Sequence, residues 1–132
     1  MWVVYSDVVL TVMRNIEYKT SIINDQHLKD FILFTLEEGL RCGQAIATFD
    51  AMLALKEHRP TLGDFASDDY WTSDSAIASA NKEVKEIEGR LLARIAKINT
   101  LITEEQKNLI SHGIALCCKE GYRIYGKHYM GY

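Results

Sequence analysis

Apolar residues recur along most of this chain at steps of three and four, the spacing of a single helix face. Leu28, Ile32, Leu36, Gly39, Cys42, Ile46, Phe49 and Leu53 hold one stripe for about seven turns. Phe31, Leu33, Phe34 and Leu40 widen its first half, which predicts a central helix contacted from more than one side. Asn24 or Asp25 can cap its start; Lys56, His58 and Arg59 put positive charge where the helix dipole favours it, and Pro60 stops it. Gly39 and Gly43 lie on adjoining turns, a pattern that marks a close helix crossing or a bend. A second stripe runs through Ile77, Ala80, Val84, Ile87, Leu91, Ile95, Ile98 and Ile102, with Glu86 and Arg90 as an i,i+4 pair and Asp74 or Ser75 as its cap. Thr103-Glu104-Glu105-Gln106 then reads as a capping box, so a further helix starts at Glu104. Leu109, Ile110, Gly113, Ile114 and Cys117 supply its buried face, and Gly121 is its natural first stop.

Residues 2–16 carry two patterns at once. Trp2, Tyr5, Val9, Val12 and Ile16 fall at helical spacing, whereas Val3, Val4, Val8, Val9, Thr11 and Val12 are β-branched and suit a strand paired with residues 16–23. Helix is the expectation, because every later segment is helical and a lone hairpin is marginal. The fold class expected is therefore all-α: one domain over residues 1–132, a compact bundle of four or five helices with two long antiparallel ones, and a β-hairpin at the N-terminal end as the alternative there.

Composition narrows the class without changing it. Hydrophobic residues are 48% and charged residues 25%, the balance of a globular domain, and a single proline leaves room for long uninterrupted helices. Cys42, Cys117 and Cys118 form no Cys-x-x-Cys pair and are odd in number, which points to a reducing cytoplasm. Residues 1–13 lack a basic n-region and a small-residue cleavage site, so no secretory signal is expected, and no apolar run is long enough to predict a membrane span. The net charge of −3 conceals a split: residues 1–80 hold six basic and twelve acidic side chains, net −6, and residues 81–132 hold nine and six, net +3. A chain polarised in this way suits docking better than its total implies.

Two segments concentrate the candidate chemistry. Residues 61–75 form an acidic inter-helix loop with Asp64, Asp68, Asp69 and Asp74 and no basic residue. An EF-hand register from Asp64 puts Asp69 where glycine is required and Ser75 where the bidentate glutamate is required, so calcium is not expected. The expected role is electrostatic steering of a protein partner by Asp64, Asp68 and Asp69, with Tyr70 and Trp71 pinning the loop and sharing the docking surface. Residues 122–132 form the second segment, a tyrosine-rich basic tail. Tyr122, Tyr125 and Tyr129 interleave with Arg123 and Lys127 and could stack the bases of a single strand, so nucleic acid is expected only through this tail or through the partner. The amphipathic faces also leave room for a homo-oligomer.

Elsewhere the residues needed for chemistry are spread apart. His27, His58, His112 and His128 lie three or four residues from neither another histidine nor a cysteine, Glu-x-x-His does not occur, and no phosphate-cradling glycine pattern exists. No metal and no cofactor is expected. Arg123-Ile124-Tyr125-Gly126-Lys127-His128 is similar to the Arg-x4-6-His signature of the HEPN ribonucleases, small all-helical proteins that usually work as dimers. The resemblance covers these six residues, with Ile124 where that family often has a polar residue and Gly126 inside the expected helix. It implies metal-independent RNA cleavage, with Arg123 and His128 acting on the scissile phosphate and the attacking 2′-hydroxyl. The leading expectation is non-enzymatic: a cytoplasmic helical adaptor or inhibitor docking on a larger basic or nucleic-acid-processing partner.

Overall fold

The structure, a computed structural model, describes residues 5–19, 25–58 and 73–130, and describes no side chains at 57, 58 and 125–130. Within them the chain is all helical: α1 (Asp7–Lys19), α2 (Gln26–His58), α3 (Asp74–Asn99) and α4 (Glu104–Met130). The all-α bundle is as expected. Among the described residues no helix is long and apolar enough to cross a membrane.

The N-terminal ambiguity resolves as helix over Asp7–Lys19. Its β-branched content is outweighed by burial, since Val9, Met13 and Ile16 fall on one side and are removed from water against α2 and α4. Ser6 enters this helix from an α2 carboxylate: its backbone N–H and its hydroxyl both donate to Glu37, at 3.2 and 3.0 Å. Glu17 and Lys29 pair at 3.0 Å near the other end.

The 33-residue α2 is the spine that every other helix touches. Asp25 caps it, its side chain accepting from the His27 backbone N–H at 2.9 Å. Ile32, Leu33, Leu36, Leu40, Cys42, Ala47, Ala51 and Met52 are buried along it, the wide apolar surface that contact on several sides requires. Thr35 is fully buried without penalty, because its hydroxyl donates to the Phe31 carbonyl at 2.8 Å.

Helix α3 lies along α2 through Val84, Ile87, Leu91 and Ile98. Polar pairs fix its order: Lys56 meets Asp74 at one end, Arg90 Nε donates to Glu38 at 2.9 Å in the middle, and Lys97 sits 5.3 Å from the Phe31 ring at the other. Two local expectations are corrected. The cap is Ser73, one residue before Asp74, and its hydroxyl accepts from the Ala76 N–H at 3.1 Å. Arg90 reaches across to Glu38 in place of its i−4 neighbour Glu86, because Glu38 is buried and a charge-assisted partner matters more there than on an exposed helix surface. The turn into α4 carries the capping box as read: the Thr103 N–H donates to Gln106 Oε1 at 2.9 Å and the Gln106 N–H to Thr103 Oγ1 at 3.3 Å.

Helix α4 packs mainly on α2, and also on α1. The expected stop at Gly121 is overturned, since the helix continues to Met130. The glycine serves the crossing instead. A methyl group at Gly121 would overlap the Leu40 carbonyl and come within 3.3 Å of the Gln44 nitrogen, and one at Gly43 would overlap the Cys118 carbonyl and lie 2.9 Å from the Tyr122 nitrogen. Backbone therefore meets backbone where the two helices cross, as the Gly39/Gly43 spacing had indicated. A methyl group at Gly39 would crowd Ile114, at 3.2 Å from its side chain and 3.3 Å from its carbonyl, and Gly113 receives Val12 and Ile16 of α1.

Candidate functional site

The three cysteines converge on this crossing. Cys42 comes from the close-contact turn of α2, and Cys117 and Cys118 come from the facing turn of α4, where the Cys42 and Cys118 thiols interact. Burial pushes the Cys42 thiol up to about 11, with Cys118, Glu88 and Glu38 adding to the shift. Burial likewise pushes Cys117 to about 12, helped by Glu37 and Cys118, and raises Cys118. A nucleophilic cysteine needs the opposite environment, one that favours thiolate, so this cluster is a protonated packing element.

The residues of the HEPN-like motif all lie on α4, beyond the crossing. Arg123 is held by Glu120 one turn back through Nε at 3.0 Å and through a second, shorter contact from Nη2. Their hydrogen bond is the main cause that keeps the Glu120 carboxyl below its ordinary value and the Arg123 guanidinium above its own. The pairing engages Nε and Nη2 of the guanidinium. Ile124 is 45% exposed beside it. Tyr122 is not loose either: its hydroxyl donates to Asp50 of α2 at 2.8 Å, spanning from one helix to the other. The side chains of Tyr125, Lys127, His128 and Tyr129 lie outside the described residues, as do Asp64, Asp68, Asp69, Tyr70 and Trp71. Asp74, the acidic-loop residue that is described, pairs with Lys56, whose hydrogen bond lowers the carboxyl below its ordinary value.

Two features were not legible beforehand. A shallow groove of about 260 Å³ runs between α1 and α4, with Val12, Ile16, Leu109 and Leu116 as apolar walls and Lys19 and His112 at its rim. That is slightly less than the roughly 300 Å³ at which small-molecule sites begin. The aromatic cluster Tyr5, Phe31 and Phe34 is the second: Tyr5 and Phe34 meet edge to face at 5.7 Å, and the Arg94 guanidinium lies over Phe31 and Phe34 at 5.8 and 5.9 Å. It ties α3 and the residues that lead into α1 to the same stretch of α2. No three His, Cys, Asp or Glu side chains among the described residues converge as metal ligands would.

Neither a protein-family model nor a curated protein nor a solved structure matches the chain.

Proposed function

We propose that this chain is a non-enzymatic helical protein-interaction module, a small cytoplasmic adaptor or inhibitor that docks on a larger basic or nucleic-acid-processing partner. In this reading the bundle is compact and its two long helices, α2 and α3, run antiparallel, which the order of their polar pairs supports. The observation offered in support is a set of leucines left facing outward on separate elements among the described residues: Leu92 is 65% exposed, Leu101 58%, Leu55 48% and Leu116 43%. Asp64, Asp68 and Asp69 supply the steering charge, with Tyr70 and Trp71 beside them.

Affinity capture from the native host, with mass measurement of the intact complex, identifies the partner. Association kinetics then compare the wild type with the triple variant Asp64→Asn, Asp68→Asn, Asp69→Asn. The on-rate is expected to fall and its salt dependence to flatten; equal on-rates remove the steering role, and failure to capture a stoichiometric partner removes the module reading. A ribonuclease assay separates the enzymatic alternative. Cleavage of RNA by the wild type that is lost in both Arg123→Ala and His128→Ala would replace this proposal with the HEPN-like one. Single-strand binding that disappears on truncation after Gly121 would replace it with the nucleic-acid one.

A further inference from the structure

The groove between α1 and α4 has apolar walls and a rim of hydrogen-bond donors. Ile16, buried, and Val12, Leu109 and Leu116, partly open to solvent, are the walls. The larger polar side chains that line it are Asn15 and Lys19, one turn apart on α1, and His112 on α4, all three exposed. Each can donate through nitrogen, and no carboxylate joins the lining. Among the described residues Lys19 and His112 enter no ion pair. The acids that flank the groove on the same two helices are engaged elsewhere or set apart. Glu17 meets Lys29 at 3.0 Å and Glu120 holds Arg123, while Glu105 sits a turn before Leu109, outside the lining.

We infer that this groove binds a small carboxylate with an unbranched apolar chain, the chain lying between α1 and α4 and the carboxylate at Lys19 and His112. Charge selects the head. Lys19 supplies a positive charge, Asn15 and His112 supply further N–H donors, and with no acid in the lining the rim attracts one anionic group and disfavours a cationic one. Size selects the tail. A volume of about 260 Å³ lies below the range of drug-sized sites, which leaves room for a single chain of about eight to ten carbons. The walls act through apolar area, so each methylene that enters should tighten binding about fourfold until the chain outgrows the groove. The head group meets its donors in open solvent, where such contacts are weak, so most of the affinity comes from the chain. The inference goes beyond the docking proposed above: it requires no protein partner and uses Leu116 alone of the outward leucines.

Two-dimensional amide NMR of the full chain, titrated with octanoate, decanoate and decyltrimethylammonium below their micelle concentrations, tests it. Decanoate is expected to shift the amides of residues 12–19 and 109–116. It should bind about fifteenfold tighter than octanoate, which is two methylenes shorter. The cationic amphiphile of the same chain length should bind about tenfold more weakly than decanoate. Lys19→Gln should weaken decanoate about threefold to fivefold and leave the cationic amphiphile no weaker. Leu116→Glu sets a carboxylate in the wall and should abolish decanoate binding. Leu116 is already 43% exposed, so far-UV circular dichroism and melting temperature should stay unchanged in that variant. If it fails to fold, Lys19→Gln and the comparison of head groups on the wild type still decide. Absence of decanoate binding, equal affinity for the two head groups, shifts centred away from α1 and α4, or undiminished binding by a folded Leu116→Glu variant overturns the inference. None of these outcomes touches partner capture or its steering by the acidic loop.

Discussion

Replacing Gly43 by alanine sets two terms of opposite sign against each other. In a helix interior the exchange is favourable by about 0.5–1 kcal/mol, because alanine loses less backbone entropy on folding. At Gly43 the added methyl would overlap the Cys118 carbonyl and crowd the Tyr122 nitrogen, both of them backbone atoms of α4 with no rotamer to turn away. The helices must part, and a gap of about 0.5–1 Å forfeits a quarter to a half of each dispersion contact across the crossing. Leu40, Ile114 and Cys117 are buried there, so the cost falls towards the upper part of the roughly 1–3 kcal/mol range for overpacking. The net expectation is a loss of about 2 kcal/mol. Gly89 is the internal control: it is exposed in the middle of α3 with nothing within 4 Å of its Cβ position, so only the favourable term acts and Gly89→Ala should gain about 1 kcal/mol. Urea unfolding followed by circular dichroism reads both, as a midpoint moved down for Gly43→Ala and up for Gly89→Ala at unchanged slope. In a chain of this size the corresponding melting temperatures move by about 3–5 °C per kcal/mol. Gly121→Ala should resemble Gly43→Ala, and the double variant should cost less than the two together, because helices already parted by one methyl accommodate the second. A Gly43→Ala variant as stable as the wild type would refute the backbone-on-backbone crossing.

Three further expectations concern stability. Arg90→Ala should cost about 1–2 kcal/mol in urea unfolding, because the Glu38 carboxylate is 8% exposed and is left without its guanidinium, while Arg90→Gln should recover part of that loss by donating to it. Thr103→Ala and Ser73→Ala each remove a helix cap and should each cost about 1 kcal/mol; a neutral result in Thr103→Ala would contradict the reciprocal bonds to Gln106. Burial raises the Cys117 thiol to about 12 in the folded chain, against about 8.5 unfolded, so below pH 8 both states hold the proton and stability is intact. Above that, the unfolded chain releases a proton that the folded chain keeps, and stability falls as pH rises towards about 12. The difference between wild type and Cys117→Ala in urea midpoint should therefore shrink between pH 8 and pH 10; a constant difference would show that the thiol is not held protonated.

Much of the helical framework was readable from order and spacing alone. Stripes at three and four residues, the Thr103 capping box, the acceptor at Asp25 and the glycine pair at 39 and 43 are local signals, and each reports a local fact: which side of a helix is apolar, where it starts, where another backbone can come near. The wide apolar surface of the first half of α2 likewise pointed to its central place. What the spacing could not supply was the identity of the partner across space. Gly121 has the residue type of a helix stop, yet it lies inside α4, because the Leu40 turn of α2 needs the room that a missing Cβ leaves. Arg90 has a favourable partner at i−4, yet it joins Glu38 from another helix, because a buried carboxylate draws a cation more strongly than an exposed one does. Cys42, Cys117 and Cys118 are scattered in sequence and become one protonated cluster only where α2 crosses α4. Tyr122, read as part of a basic tail, is tied to Asp50. The sequence by itself determined the three later helices, their apolar faces and the caps at Asp25 and Thr103, because those depend on neighbours within a turn or two. Only the tertiary structure decided which polar groups are paired and which apolar face of α3 stays outside, because burial and charge pairing depend on residues distant in the chain.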